Sequence, residues 1–180
     1  MKRLTPPLAM AVGLVLGVAL TYGGLRLGDR LVRAPERPDL LLTLGQTLDV
    51  EHQRADVLVA QGKIAEAIDA LEALRKLPWP SRDEGGETAL ILRHDAYGQL
   101  LRLRLDHPTI SPRSDAELLA IADEGLAGAT LHNAFTARLI ALRGEILERM
   151  GRDDEALAAY ESALEINRSL LQRALARDPS

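Results

Sequence analysis

The sequence contains no cysteine and few aromatic residues. Without cysteine the chain has no disulfide, no thiolate metal ligand, no cysteine nucleophile and no lipid-modified N-terminal cysteine. This absence leaves the compartment open, because such a chain tolerates either redox environment. Since leucine and alanine, both strong helix formers, make up much of the rest, the composition predicts an all-α protein. The five aromatic residues are Tyr22, Trp79, Tyr97, Phe135 and Tyr160.

Positive charge is scarce after the first part of the chain. Residues 1–37 carry six Lys or Arg and two Asp or Glu, whereas residues 38–180 carry sixteen and twenty-four. Proteins that bind nucleic acid need a basic face to displace counterions from phosphate. The acidic body therefore argues against nucleic acid as a partner.

Catalytic and cofactor motifs are also lacking. There is no nucleophile elbow, phosphate loop or dinucleotide-binding loop, and no histidine pair has metal-ligand spacing. One alternative stays open, a carboxylate–imidazole cluster of Glu51, His52 and Asp56 on one helix face, although a solvated face is the simpler interpretation. The sequence therefore predicts a protein that is not an enzyme and has no cofactor or metal. The four histidines are His52, His94, His107 and His132.

The first part of the chain has a long run without formal charge. Residues 7–25 form a nineteen-residue uncharged segment that as a helix would rise ~28 Å, enough to cross a hydrocarbon core. Because the apolar run continues through Leu25 without a clean small-residue cleavage site, we favour an uncleaved signal anchor within residues 1–32. The alternative is cleavage after Ala19, which would release a soluble secreted or periplasmic module.

The flanks of this segment bear on its partners and orientation. Gly13 and Gly17 have the spacing that lets two membrane helices approach closely, which suggests a weak homodimer. A short basic tail before a first span usually stays inside the cell. We therefore expect a single-pass protein of the bacterial inner membrane with a periplasmic body, although a cytoplasmic orientation stays open. Residues 33–39 contain two prolines and read as a stiff linker.

The body shows a helix–turn–helix pattern near its C-terminal end. In residues 134–150 leucine and isoleucine recur at steps of three and four, which predicts a helix. Gly151 interrupts this pattern, and the helical spacing then restarts. Small or bulky residues stand at fixed offsets from this turn: Gly144, Ala156, Tyr160 and Ala163.

The same offsets occur around Gly62, at Ala55, Ala67 and Leu71. The two stretches resemble the tetratricopeptide repeat, a helical hairpin of 34 residues, over residues 132–167 and, with Leu71 in place of the usual aromatic residue, over residues 46–79. The resemblance implies an α-solenoid that binds other proteins. Members that bind chaperones hold a terminal carboxylate with Lys and Asn, which are absent here, so this activity is not carried over.

The middle of the body is irregular. Residues 86–107 and 115–128 read as two helices separated by a long loop, with Ser114 capping the second. We therefore expect about three hairpins over residues 40–178. The last helix is predicted to run to about residue 177 as a C-terminal capping helix that shields the final interface.

The resemblance also implies a partner groove lined by the first helix of each hairpin. Six residues share that face by their spacing: Asp49, His52, Asp56, Arg138, Ala141 and Glu145. Trp79 either caps the core of the first hairpin, which we favour, or anchors a partner. Together these features predict a membrane-anchored, non-catalytic scaffold or assembly factor.

Overall fold

In the computed structural model, residues 37–129 and 132–177 are described and contain six α-helices and no strand. The prediction of an all-α protein is confirmed. The helices are α1 (Pro38–Ala60), α2 (Ile64–Arg75), α3 (Arg82–Asp106), α4 (Asp115–Leu126), α5 (Ala134–Arg149) and α6 (Asp153–Arg177).

The first and last hairpins share one turn geometry. Gly62 and Gly151 have φ values of 75° and 70°, in the left-handed region that favours glycine. After α1, Lys63 N donates to Leu58 O at 2.9 Å, and after α5, Arg152 N donates to Leu147 O at 2.9 Å. This is the Schellman bond, which satisfies carbonyls that the helix end leaves free and lets the next helix begin at once.

The central hairpin is built differently. Gly86, with φ 58° and ψ −153°, interrupts α3 near its start, and residues 107–114 separate α3 from α4. Ser114 closes that loop with a capping box: its Oγ accepts from Glu117 N, and Glu117 Oε2 accepts from Ser114 N at 2.8 Å. The predicted cap at Ser114 is confirmed.

The helices form three consecutive hairpins. Each helix packs against the next one, and α3 also packs against both α1 and α5. A continuous apolar core runs from Leu44 on α1 to Ala156 on α6, and half-buried Trp79 packs against it at the end of the first hairpin. This arrangement places α1, α3 and α5 side by side, as expected of an α-solenoid.

The last helix is long, and part of its outer surface is exposed. It continues to Arg177, but Leu157 and Leu164 remain exposed. The predicted continuation to about residue 177 is therefore confirmed, and Leu170 on the extension packs against Ala137, Ala163 and Ile166. The role of the extension as a cap stays a prediction.

The predicted membrane segment, residues 7–25 with Gly13 and Gly17, lies outside the described residues. Within residues 37–129 and 132–177, none of the helices combines the length and the apolar character that crossing a membrane requires. α1 begins at Pro38, inside the segment predicted as a linker, because proline suits the first turn of a helix, where its missing N–H is not needed.

Candidate functional site

The side-by-side packing of α1, α3 and α5 creates a polar surface, which we call the inner groove. It is centred on α3, whose neighbours contribute from both sides. The residues that define it are His52 and Asp56 on α1, Asp95, Gln99, Arg102 and Asp106 on α3, and Arg138 and Glu145 on α5.

One part of the inner groove joins all three helices. Asp95 Oδ2 lies 3.7 Å from His52 Nδ1, and Asp95 Oδ1 lies 3.9 Å from Arg138 Nη1. Burial raises the pKa of Asp95, and the neighbouring His52 and Arg138, which act in the opposite direction, do not offset it. This carboxylate therefore bridges the outer two helices through partners on either side.

A second ion-pair set lies further along α3. Arg102 Nη2 is 3.3 Å from Glu145 Oε2, and Arg102 Nη1 is 3.5 Å from Asp106 Oδ1. The inner groove therefore contains four carboxylates and two arginines, and each arginine already faces a carboxylate. Its surplus charge is negative.

A cavity of about 140 Å³ opens in the inner groove between α1, α2 and α3. Its apolar lining comes from Ala55, Val59, Leu71 and Leu103, and its polar lining from His52, Asp56, Gln99, Arg102 and Asp106. An apolar floor with charged groups around it suits a side chain that is itself apolar along its length and charged at its tip.

Four of the six predicted groove residues join this surface: His52, Asp56, Arg138 and Glu145. The other two do not. Asp49 is exposed and accepts a hydrogen bond from Gln53 at 3.2 Å. Ala141 packs against a small apolar cluster of Ala137, Ala163 and Ile166 between α5 and α6.

The alternative catalytic cluster is divided between different partners. Glu51 pairs with Arg54 at 3.1 Å, whereas His52 pairs with Asp95 on the next hairpin. Asp56 lies on the rim of the cavity. Across the described part of the chain, no group of three or more His, Asp or Glu side chains has the geometry to hold a metal ion.

Sequence reasoning missed the contribution of α3. Asp95, Gln99, Arg102 and Asp106 follow each other at steps of four, three and four, which places them on one helix face. That spacing was available in the sequence. It could not be aligned with the other two hairpins, because the long loop and the late end of α3 give the central hairpin no turn glycine from which to count.

Comparison with known families bears on the last hairpin. Residues 137–170 match the tetratricopeptide repeat family. The match covers α5 from Ala137 and α6 to Leu170, so the resemblance predicted for residues 132–167 is confirmed there. A repeat of this family suggests a protein–protein interaction module. Searches of curated proteins and of solved structures found no match.

Proposed function

We propose that this chain is a membrane-anchored scaffold or assembly factor that binds a protein or peptide partner along the inner groove, without catalysis. The observation that carries the proposal is the inner groove itself, which lies across the first helices of three hairpins, the last of which contains the matched repeat. Groups from α1, α3 and α5 converge on it through Asp95 and Arg102.

The chemistry of the inner groove supports a partner segment that carries a Lys or Arg side chain. Val59, Leu71 and Leu103 offer an apolar wall for the methylene stem, and Asp56 and Asp106 offer carboxylates for the cationic head. Within the described residues Asp56 has no ion-pair partner, so its charge is free to bind one. The negative surplus of the groove also favours the approach of a basic segment.

The proposed anchor is the uncharged run of residues 7–25. Its length and its basic N-terminal flank support a single span in a bacterial inner membrane, with the repeats in the periplasm. The alternative is a soluble secreted or periplasmic module released by cleavage. Mass spectrometry of the mature protein distinguishes them, because only the anchored form retains Met1, and a reporter fused to the C-terminus reports the orientation.

Site-specific crosslinking in cells tests the groove. A photo-reactive amino acid in place of Gln99 lies at the cavity, whereas the same residue in place of Glu66 lies exposed on α2. We expect a distinct crosslinked protein from the Gln99 position alone. Equal crosslinking from both positions, or none from Gln99, would contradict binding in the groove.

Charge reversal then tests the chemistry of the partner. Asp56→Lys removes the free carboxylate at the cavity, and Asp69→Lys is the matched control, because Asp69 is also exposed and unpaired within the described residues. We expect Asp56→Lys to lose the crosslinked partner and the control to keep it, with the difference shrinking at high salt. Equal retention by the two variants would exclude recognition of a basic side chain at Asp56.

A further inference from the structure

The outward side of α6 carries an unusual concentration of exposed leucine. In the part of the chain that the structure describes, seven large apolar side chains are exposed, and four of them are on α6. Leu157, Leu164, Leu171 and Leu175 have 58, 50, 59 and 68 % of their surface accessible. Their spacing of seven, seven and four residues places them within about 40° around the helix. They lie in one row along the helix, which we call the leucine stripe.

The leucine stripe faces away from the protein core. The opposite side of α6 packs against α5 through four buried residues, Ala156, Ala159, Ala163 and Ile166. In a solenoid, the outer face of the last hairpin is where a further hairpin would stack. Here no described residue covers that face, so its apolar side chains remain in contact with solvent.

Two unpaired charges interrupt the leucine stripe in a definite order. Glu161 stands between Leu157 and Leu164, and Arg168 stands between Leu164 and Leu171. Both are exposed, and neither has an ion-pair or hydrogen-bond partner among residues 37–129 and 132–177. From Leu157 to Leu171 the order is therefore leucine, acid, leucine, base, leucine, with Leu164 at its centre, and Leu175 follows beyond Leu171.

This order is self-complementary when two copies run in opposite directions. With Leu164 on a twofold axis, Leu157 opposes the partner's Leu171, and Glu161 lies about 1.5 Å along the helix axis from the level of the partner's Arg168, within reach of its long side chain. A parallel pair would instead oppose acid to acid and base to base, which is unfavourable. We propose that two copies of this chain associate through antiparallel packing of their α6 helices along the leucine stripe.

The order of charges on the leucine stripe argues for a second copy as its occupant. In a twofold interface the same patch serves both partners, so each copy supplies both the acid and the base that the other needs. A different protein would have to carry the matching order of charges independently. The interface is separate from the inner groove on α1, α3 and α5, so its failure would leave the proposed function untouched.

Charge reversal in the full-length protein, purified in a mild non-ionic detergent, tests the pairing. Sedimentation over a concentration series measures the monomer–dimer equilibrium. We expect the unmodified protein to dimerise and Glu161→Arg or Arg168→Glu alone to weaken the dimer by about tenfold or more, because each creates like-charge contacts. Combining both reversals in one chain, or mixing the two single variants, restores the opposite charges and should restore the dimer.

Engineered cysteines test the antiparallel direction, since the natural chain has none. Leu164→Cys lies at the proposed twofold axis and should form a disulfide-linked dimer. Leu157→Cys should not, because two such positions would lie about 21 Å apart along the helix axis. Leu42→Cys, at a residue of 64 % exposure on α1, is the control for random collision.

Three results would overturn the proposal. They are an unmodified protein that stays monomeric at every concentration, a dimer that survives both single charge reversals, and Leu157→Cys that crosslinks as readily as Leu164→Cys. The second result would point to association elsewhere, for example through Gly13 and Gly17. The third would indicate a parallel pair.

Discussion

The central helix α3 and the last helix α6 both bury apolar side chains, but in the part of the chain that the structure describes only α3 also buries polar ones. Within the described residues four polar side chains are buried, and they form two pairs: Glu72 with Arg104, and His94 with Thr136. Each pair has one member on α3. By contrast, the side chains that α6 buries are apolar, three alanines and Ile166.

This difference separates two ways of joining hairpins. The small side chains on α6 allow close packing, and they stand at short, fixed spacings in the sequence. The pairs on α3 instead join residues that are 32 and 42 positions apart. A buried polar pair is costly to desolvate and gives little net stability, but it is strongly unfavourable to leave half-made. The pairs on α3 thereby fix which residues of the irregular hairpin face its neighbours.

The largest effect is expected when the buried ion pair is broken. Glu72 Oε1 lies 2.7 Å from Arg104 Nη2, and Glu72 Oε2 lies 2.9 Å from Arg75 Nε. Glu72→Gln leaves the guanidinium of Arg104 buried without its counter-charge, which costs about 3–5 kcal/mol. Urea denaturation followed by circular dichroism measures the loss in the free energy of unfolding.

An ion pair of the last hairpin supplies the matched control. Glu155 pairs with Arg152 at 2.7 Å, but both side chains are exposed. Glu155→Gln should therefore lower the free energy of unfolding far less than Glu72→Gln does, because solvent screens the exposed pair. Replacing the buried pair together, as Glu72→Leu with Arg104→Met, should recover most of the stability that Glu72→Gln loses. Equal losses from Glu72→Gln and Glu155→Gln would remove the distinction between the two helices.

The second effect concerns pH and the other buried pair. His94 Nδ1 lies 2.9 Å from Thr136 Oγ1, and burial, aided by the charge of Arg93, lowers the pKa of His94 to about 4. The unfolded chain then binds a proton more readily than the folded one. The contribution of His94 to the free energy of unfolding is therefore fully present above a pH of about 6.5. It is lost as the pH drops towards 4, by about 3 kcal/mol at most.

Replacing His94 should reduce the dependence of the free energy of unfolding on pH. Comparing the free energy of unfolding between pH 7 and pH 4.5, His94→Gln should lose less stability on acidification than the unmodified protein. His132→Gln is the control, because His132 is exposed just before α5. If His94→Gln lost as much stability between pH 7 and pH 4.5 as the unmodified protein, His94 would not be the group responsible for the loss.

Glu72 adds a separate loss at lower pH. Burial by itself raises the pKa of Glu72, but hydrogen bonds and charge from Arg75 and Arg104 outweigh it and leave the pKa below its usual value. Its contribution is complete above the pKa of an unfolded glutamate and is lost as the pH falls through the lowered one. The two pairs on α3 therefore respond to acid in succession.

The difference between α3 and α6 also explains which features of the fold could be predicted from the sequence. The last hairpin was predictable because its turn at Gly151 and its small residues lie at short, fixed separations. The two buried pairs on α3 could not be predicted, since alternating charges such as those of residues 100–106 are typical of a solvated helix face and nothing local links His94 to Thr136. The same is true of Asp95, whose role in the inner groove depends on helices before and after it.

The central and last hairpins both pack a tyrosine closely against a glycine, with the roles of the helices exchanged. In the last hairpin Gly144 lies on the first helix and meets Tyr160 on the second. In the central hairpin Tyr97 lies on the first helix and meets Gly125 on the second. A sequence search for glycine on the first helix and an aromatic residue on the second therefore finds the last hairpin and misses the central one.

Alanine at these two glycines gives the smallest predicted effects and the sharpest comparison. A Cβ at Gly125 would lie 2.7 Å from Tyr97 Cδ1, and one at Gly144 would lie 2.9 Å from Tyr160 Cε1. Tyr97 is 1 % exposed and packed within the core, so Gly125→Ala should destabilise the protein by about 1–3 kcal/mol. Tyr160 is only half-buried and can shift outward, so the gain in helix propensity should hold Gly144→Ala within about 1 kcal/mol of the unmodified protein.

Gly98 on α3 provides the control for helix propensity alone. A Cβ there would come no closer than 3.8 Å to the Arg138 side chain, which is ordinary contact. Gly98→Ala should therefore stabilise the protein by up to about 1 kcal/mol, as for an unhindered helical position. Urea denaturation of the three variants should rank them Gly98→Ala, Gly144→Ala and Gly125→Ala in falling stability. If Gly125→Ala were as stable as Gly98→Ala, the contact between Tyr97 and Gly125 would not limit the approach of α3 and α4, and the two hairpins would not share this device.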